Sequence, residues 1–260
     1  MMMNSQSCKG LITGIFLTAA VASIAQQSPE DWSLGTELKA YWPLDGNLVD
    51  VIGEIHGRAR GLDENSFVPS PIGKAVHFRG EDDHFEVISQ EALFGFLPST
   101  YAFWIRIEGR TGHLLYTNWQ EPEIEFRAPG YLLGSGHVVP ETLNLPPETH
   151  SEWHHVVITT SLFPPFSLPP TAMYIDGELV ETTRAVQGRD YQGYSGSGWT
   201  RRLFFGGDPR RVATFRGDLD DLAFWRRSLR PDEIAMLYAA GLEGNALSDL
   251  LDDQDGDQLP

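Results

Sequence analysis

The sequence predicts an all-β fold, a two-sheet antiparallel sandwich or jelly roll with one short C-terminal helix. Three observations predict it. Beyond Glu37, short runs rich in Val, Ile, Phe, Tyr and Trp recur between Gly, Pro, Asn and Asp, the composition of a half-buried pleated surface. Asp176-Gly177 joins Ala172-Met-Tyr-Ile to Glu178-Leu-Val-Glu, and such a pair between apolar runs signals a two-residue hairpin. A single stretch, near the C-terminus, has helical spacing.

In chain order, strands are expected at Lys39–Leu44, Lys74–Arg79, His84–Ile88, Tyr101–Ile107 and Gly112–Thr117. They continue at Glu123–Arg127, Trp153–Thr160, Thr171–Ile175 and Arg201–Phe205. Many short strands at this spacing suit a sandwich or jelly roll. The helix starts at Pro231, a residue suited to the first helical position. Asp232 and Glu233 face its positive end, Ile234, Leu237 and Tyr238 share one side, and Gly241 is the expected stop. Pro140–Pro147, Phe163–Pro170 and Gly193–Gly198 read as loops.

Nineteen Lys and Arg stand against 36 Asp and Glu, a formal charge of -17. Such a surface repels nucleic acid and anionic lipid, and suits neutral glycans, protein partners or calcium. Lys9, the apolar run Gly10–Ala22 and Ala-Ser-Ile-Ala ending at Ala25 have the layout of a secretory signal peptide. The apolar run is shorter than the ~20 residues of a spanning helix. Residues 1–25 are thus expected to be cleaved, 26–37 to form a loose leader, and the product to be secreted or at the cell surface without membrane insertion. Cys8, the one cysteine, falls in the cleaved segment, so the mature fold is expected to rest on packing and, perforce, on no disulfide.

Tyr41-Trp-Pro-Leu-Asp-Gly-Asn47, Gly73-Lys-Ala-Val-His-Phe-Arg-Gly80, Tyr101-Ala-Phe-Trp-Ile-Arg106 and Trp153-His-His-Val-Val-Ile-Thr159 occur in order. Met173-Tyr-Ile-Asp-Gly-Glu-Leu-Val180, Phe215–Trp225 and Ser228–Tyr238 complete the series. It resembles the LamG-like (laminin G, concanavalin A-like) jelly-roll family over residues 38–242, followed by an acidic tail, 243–260. The resemblance implies two antiparallel sheets, one of them concave, with strands from both chain ends side by side. It also implies an extracellular module that binds glycans or proteins, often with calcium.

By the same resemblance Asp45, Asp50 and Asp220 come close enough to hold a structural calcium ion, with carbonyls completing its six to eight oxygen ligands. The alternative is that Asp45 shapes a turn and Asp220 caps a strand end. Asp253, Asp255 and Asp257 alternate around Gly256, like the opening of a calcium loop that lacks its later carboxylate; a solvated tail is the other reading.

Glu121, Glu123 and Glu125 alternate, near the spacing of paired glycosidase carboxylates. The run resembles the Glu-x-Asp-x-Glu strand of laminarinase- and lichenase-like jelly-roll hydrolases, with Glu123 in place of the Asp; that resemblance implies Glu121 as nucleophile and Glu125 as acid/base. Pro122 removes a ladder donor, so an edge strand with solvated carboxylates is the plainer expectation. His150 and His154 have zincin spacing, but Ser151 replaces the glutamate and the segment reads as strand. Gly193-Tyr-Ser-Gly-Ser lacks the last glycine of a nucleophile elbow. Trp119, Tyr131, Tyr194 and Trp199 neighbour expected loops and could stack on sugar rings, whereas Trp42, Trp153 and Trp225 are expected to be structural. The leading expectation is a secreted, non-catalytic module that binds a glycan or an extracellular protein and is stabilised by calcium. A glycosidase and an adhesive spacer within a larger surface protein are the alternatives.

Overall fold

The computed structural model describes residues 33–80, 82–88, 98–108, 112–117, 123–127, 131–135, 143–144, 151–160, 171–182, 202–207 and 214–252. Their strands form two antiparallel sheets. The first contains β1 (Leu38–Trp42), β3 (Phe67–Pro69), β4 (Lys74–Arg79), β6 (Ser99–Ile107), β11 (Trp153–Thr160), β12 (Thr171–Ile175), β13 (Glu178–Thr182) and β15 (Arg216–Trp225). Its order is β13-β12-β11-β6-β15-β4-β3, with β1 also on β15. The second runs β10-β9-β8-β7-β14-β5-β2. Its members are β2 (Arg58–Arg60), β5 (His84–Ile88), β7 (Gly112–Thr117), β8 (Glu123–Arg127), β9 (Tyr131–Ser135), β10 (Leu143–Asn144) and β14 (Arg202–Phe205).

Alternation along these strands builds the main core. Val76 and Phe78 of β4, Phe103 and Ile105 of β6, Phe85 and Val87 of β5, and Leu203 and Phe205 of β14 meet between the sheets. Phe85 and Phe205 stack with ring centroids 4.8 Å apart. Each buried aromatic of this size contributes a few kcal/mol through removed apolar area. The β12–β13 connection is the Asp176-Gly177 turn, with φ of 50° and 79°, as a hairpin turn matched to strand twist requires.

The outer face of the first sheet carries a second core. Tyr41, Ala102, Val157, Tyr174, Ala223 and Trp225 pack against α1 (Pro231–Leu242) and α2 (Leu247–Asp252) through Ile234, Leu237 and Leu247. Glu233, at the third helical position, accepts the Arg230 backbone N–H at 2.8 Å, which closes one free donor of the first turn. Gly241, expected as the stop, lies inside α1. A Cβ there would sit 2.4 Å from the Trp104 ring, so the glycine lets helix and sheet approach. The chain leaves the helix at Glu243 and Gly244, the latter at φ 81°.

The folded unit is longer than residues 38–242. Leu34, placed in the leader by sequence, is 1% exposed, and its carbonyl accepts the Trp225 indole N–H at 2.7 Å. Leu247, placed in the acidic tail, is also buried. Six residues are too few to display helical periodicity, so α2 depends on the groove it fills. Likewise β2 and β3, three residues each, are too short for alternation to reveal.

Candidate functional site

The two ends of the chain meet on β15. Its first half pairs with β4, from Arg216↔Arg79 to Leu219↔Val76. Its second half pairs with β1, from Leu222↔Trp42 to Trp225↔Leu38. The register against β6 shifts between Asp220 and Ala223, at the point where one neighbour gives way to the other. Asp221 takes φ 49° there. Leu219 and Leu222 both point into the main core, so this β-bulge leaves Asp220 and Asp221 together on the outer side. Without the bulge, alternation would drive one of them in among the aromatics.

Asp220 is fully buried. Its Oδ2 accepts the Ser70 hydroxyl at 2.6 Å and its Oδ1 the Asp221 N–H at 2.9 Å. Burial raises its pKa to about 8; Ser70 opposes this, while the charges of Asp221 and Asp45 add to it. The Asp221 carboxylate accepts the Tyr41 hydroxyl and a backbone N–H at Leu247, the first residue of α2. Burial again dominates and raises it to about 7, with Asp45 and Asp249 contributing in the same sense. Asp45 stands at the edge of this group, its Oδ1 accepting the Lys74 N–H at 2.6 Å. Asp220, Asp221 and the Ser70 hydroxyl thus lie together where β1 and β4 abut, with Asp45 near enough to act on both aspartates through its charge.

Two acids with raised pKa values, the buried Asp220 and the half-buried Asp221, tie stability to pH. A carboxyl whose folded pKa exceeds its unfolded value contributes stability that is complete below the unfolded pKa. That contribution is lost as pH rises through the folded value. For Asp220 and Asp221 the window runs from about pH 4 to about pH 8. In calcium-free buffer, urea denaturation is expected to show this stability falling across the window, and Asp221→Asn is expected to shallow the slope. An unchanged slope in the variant would show that the dependence arises elsewhere.

Asp50, the third expected calcium ligand, has a different task. Its Oδ1 accepts backbone N–H groups of Tyr41, Ile52 and Gly53 at 2.9, 2.9 and 3.0 Å, and its Oδ2 that of Ile55 at 2.9 Å. Four donors surround the carboxylate with positive potential and occupy the positions a cation would need. Asp50 is therefore corrected from ligand candidate to organiser of the 50–55 loop. Tyr41, buried and nine residues earlier in the chain, is a partner that the spacing of acidic residues could not reveal.

On the same outer face, Asp218 is fully buried and lies in register with His77 of β4 and Arg106 of β6. It meets His77 Nδ1 at 2.8 Å and Arg106 Nε at 2.6 Å. Arg106 also lies over the Trp153 ring, 5.3 Å from its centroid, so the role of Trp153 is a cation–π contact at a half-buried position. His155, one row away, packs on Trp104 and Tyr238 beneath α1. Burial pushes its pKa down to about 4, so it is neutral at physiological pH. The space it borders with Asp221 and Trp225 holds ≈ 10 Å³, room for about one water molecule and no larger ligand. His154 instead binds Asp176 through Nδ1 at 2.8 Å; the two histidines diverge as strand alternation dictates.

The expected glycosidase motif lies partly in the second sheet. β8 begins at Glu123, just after Pro122, and is paired on both sides, with β7 and β9. It is an interior strand rather than the expected edge strand. Glu125 stands opposite His113 of β7 and Leu133 of β9, and Tyr131 opens β9 opposite Arg127. Glu121, Trp119, Tyr194, Trp199, His150, Asp253, Asp255 and Asp257 lie outside the described residues. The described part of this sheet's outer face gathers Arg58 and Arg60 of β2, Glu86 and Ile88 of β5, and Arg202 of β14, by their pairing across β5. Arg58, Arg60, Ile88 and Arg202 are exposed, and Arg202 reaches Glu86 at 3.4 Å. Neither arginine of β2 carries a signal distinguishing it in the sequence.

Comparison with known proteins places this architecture. The binding domain of botulinum neurotoxin serotype D is 14% identical, with a TM-score of 0.56 over 78% of this chain and 52% of that one. The binding domain of botulinum neurotoxin DC, in complex with rat synaptotagmin II, is 14% identical (TM-score 0.56, 79% and 52%). The binding domain of Paraclostridial Mosquitocidal Protein 1 is 16% identical (TM-score 0.56, 78% and 52%). At such identities the likeness concerns the fold, and the chain spans about half the length of these structures. No curated protein sequence matches the chain. Among the described residues no helix is long and apolar enough to cross a membrane. Residues 79–235, more than half of the chain, match the profile of Laminin_G_3, described as the concanavalin A-like lectin/glucanases superfamily. With the two sheets, the β1–β15 pairing and the helix on the outer face, the match is decisive: the chain belongs to the Laminin_G_3 family.

Proposed function

We propose that this domain is a secreted, non-catalytic recognition module for a glycan or an extracellular protein, with calcium supporting its fold. The observation that carries the reading is the outer face of the second sheet, where exposed guanidinium groups flank Glu86 and Ile88. Such a surface offers fixed donors and an acceptor to hydroxyl or peptide groups beside an apolar contact. The structural neighbours named binding domains, one of them in complex with synaptotagmin, support the same class. Trp119, Tyr131, Tyr194 and Trp199 are proposed as its stacking residues.

Calcium is proposed at Asp45 and Asp220, with the Ser70 hydroxyl beside them. The donor set is oxygen alone, as calcium prefers. The raised pKa of Asp220 marks a place where a cation would offset the cost of burying negative charge. A second calcium position is proposed along Asp253, Asp255 and Asp257.

A glycan array probed with the folded domain tests the reading. Binding to a defined glycan, weakened at least about tenfold by Trp199→Ala and by Arg58→Ala, is the expected result. Hydrolysis of a β-glucan that disappears in Glu121→Gln would overturn the non-catalytic assignment. Chelation that leaves thermal stability unchanged would remove calcium from it.

A further inference from the structure

A second cluster of ligating groups lies apart from the oxygen-only aspartates. One nitrogen of His77 and one carboxylate oxygen each of Glu108 and Asp218 all lie within 4.8 Å of one another. They come from three neighbouring strands. His77 is in the middle of β4, Asp218 lies opposite it on β15, and Glu108 directly follows β6, where its backbone N–H reaches the Arg216 carbonyl at 3.0 Å.

We propose that His77, Glu108 and Asp218 form a site for a borderline divalent transition ion of the zinc type, distinct in place and chemistry from the calcium position. One imidazole and two carboxylates are a recurrent ligand set for such ions, and the imidazole disfavours calcium and magnesium. The surroundings supply the support that ligating carboxylates need. Asp218 Oδ2 is held by Arg106 Nε at 2.6 Å and Glu108 Oε2 by Arg216 Nε at 3.2 Å. Each carboxylate is thereby oriented through one oxygen by an arginine, and the other oxygen of Asp218 faces His77. His77 Nδ1 faces Asp218 Oδ1 at 2.8 Å; to ligate through Nδ1 the neutral ring carries its proton on Nε2, and the contact opens to admit the ion between the two atoms.

Burial is graded in the sense an accessible ion site requires. Asp218 is inaccessible, whereas the side chains of His77 and Glu108 are 23% and 39% exposed. The ion therefore has a rigid inner ligand, two outer ligands that can close on it, and a coordination position facing solvent. The two arginines neutralise part of the carboxylate charge, so affinity is expected in the micromolar range rather than that of a closed structural zinc site.

The test is titration of the folded domain with zinc chloride by calorimetry, with calcium chloride as the counter-probe. One zinc site per chain is expected, weakened about tenfold or more both by His77→Ala and by Glu108→Gln. Glu108→Gln alters a half-exposed residue and keeps its shape, so it reads the site even if His77→Ala perturbs the strand. Zinc binding indistinguishable from wild type in both variants would overturn the proposal, as would zinc binding no tighter than calcium.

Discussion

Glu233→Ala is expected to destabilise the domain by about 3–5 kcal/mol, the cost of stranding a buried charge. Glu233 and Arg227 are 3% and 5% exposed and form a two-point pair, Arg227 Nη2 to Oε1 at 2.6 Å and Nη1 to Oε2 at 2.8 Å. Arg227 Nε also donates to the Thr36 carbonyl at 2.8 Å. One carboxylate thus ties together the start of α1, the segment after β15 and the residues before β1. Removal leaves a guanidinium in the interior without its carboxylate partner and takes away the acceptor of the Arg230 N–H as well. Against a typical stability of about 5–15 kcal/mol, this loss is large. For a domain of this size Tm is expected to fall by about 6–20 °C. Asp232→Ala, one position away, where an exposed Asp232 pairs with a half-buried Arg230, is expected to leave Tm nearly unchanged. Equal effects of the two substitutions would contradict the assignment.

Asp50→Ala is expected to cost about 3 kcal/mol. Each donor left without its charged acceptor loses about 1–3 kcal/mol when water cannot replace it. Of the four donors, the Tyr41 N–H is buried, whereas those of Ile52, Gly53 and Ile55 belong to a surface loop that can turn to solvent. The loss therefore falls well short of four full penalties. Hydrogen exchange is expected to quicken at all four amides. Asp50→Asn, which retains one acceptor oxygen, is expected to fall between the variant and the wild type. The cost is expected to be the same with and without a calcium chelator, because the carboxylate serves backbone donors. A cost that vanishes on chelation would restore Asp50 to the calcium site.

The strands with strong alternation were legible in the sequence because each buries one side: β4, β5, β6, β11, β12 and β14 begin and end close to where their apolar patterns do. The Asp176-Gly177 turn was legible because only a narrow choice of residues tolerates two successive positive φ angles. Short elements were not. β2, β3 and α2 carry too few residues to display a period, and they exist because a neighbouring strand edge or an apolar groove is there to receive them. Gly241 misled for a related reason. A glycine near a helix end has two uses, and its choice between a stop and a close approach depends on Trp104, which lies far away in sequence.

The candidate sites divide along the same line. Residue type and order assigned the chain its acidic, all-β character, and the family resemblance they carry singled out Asp45, Asp50 and Asp220. They left undecided which carboxylate is committed to backbone donors. That depends on the donors around each one: four N–H groups close on Asp50, while Asp220 and Asp221 are turned to one side by a bulge at the seam of β1 and β4. His77, Glu108 and Asp218 carry no common motif and become neighbours only through strand register. Sequence by itself determined the alternation, and hence the sheets, because burial of apolar surface is written locally every second residue. The tertiary structure alone decided the environment of each charge, because desolvation and hydrogen bonding depend on groups that the fold brings in from elsewhere.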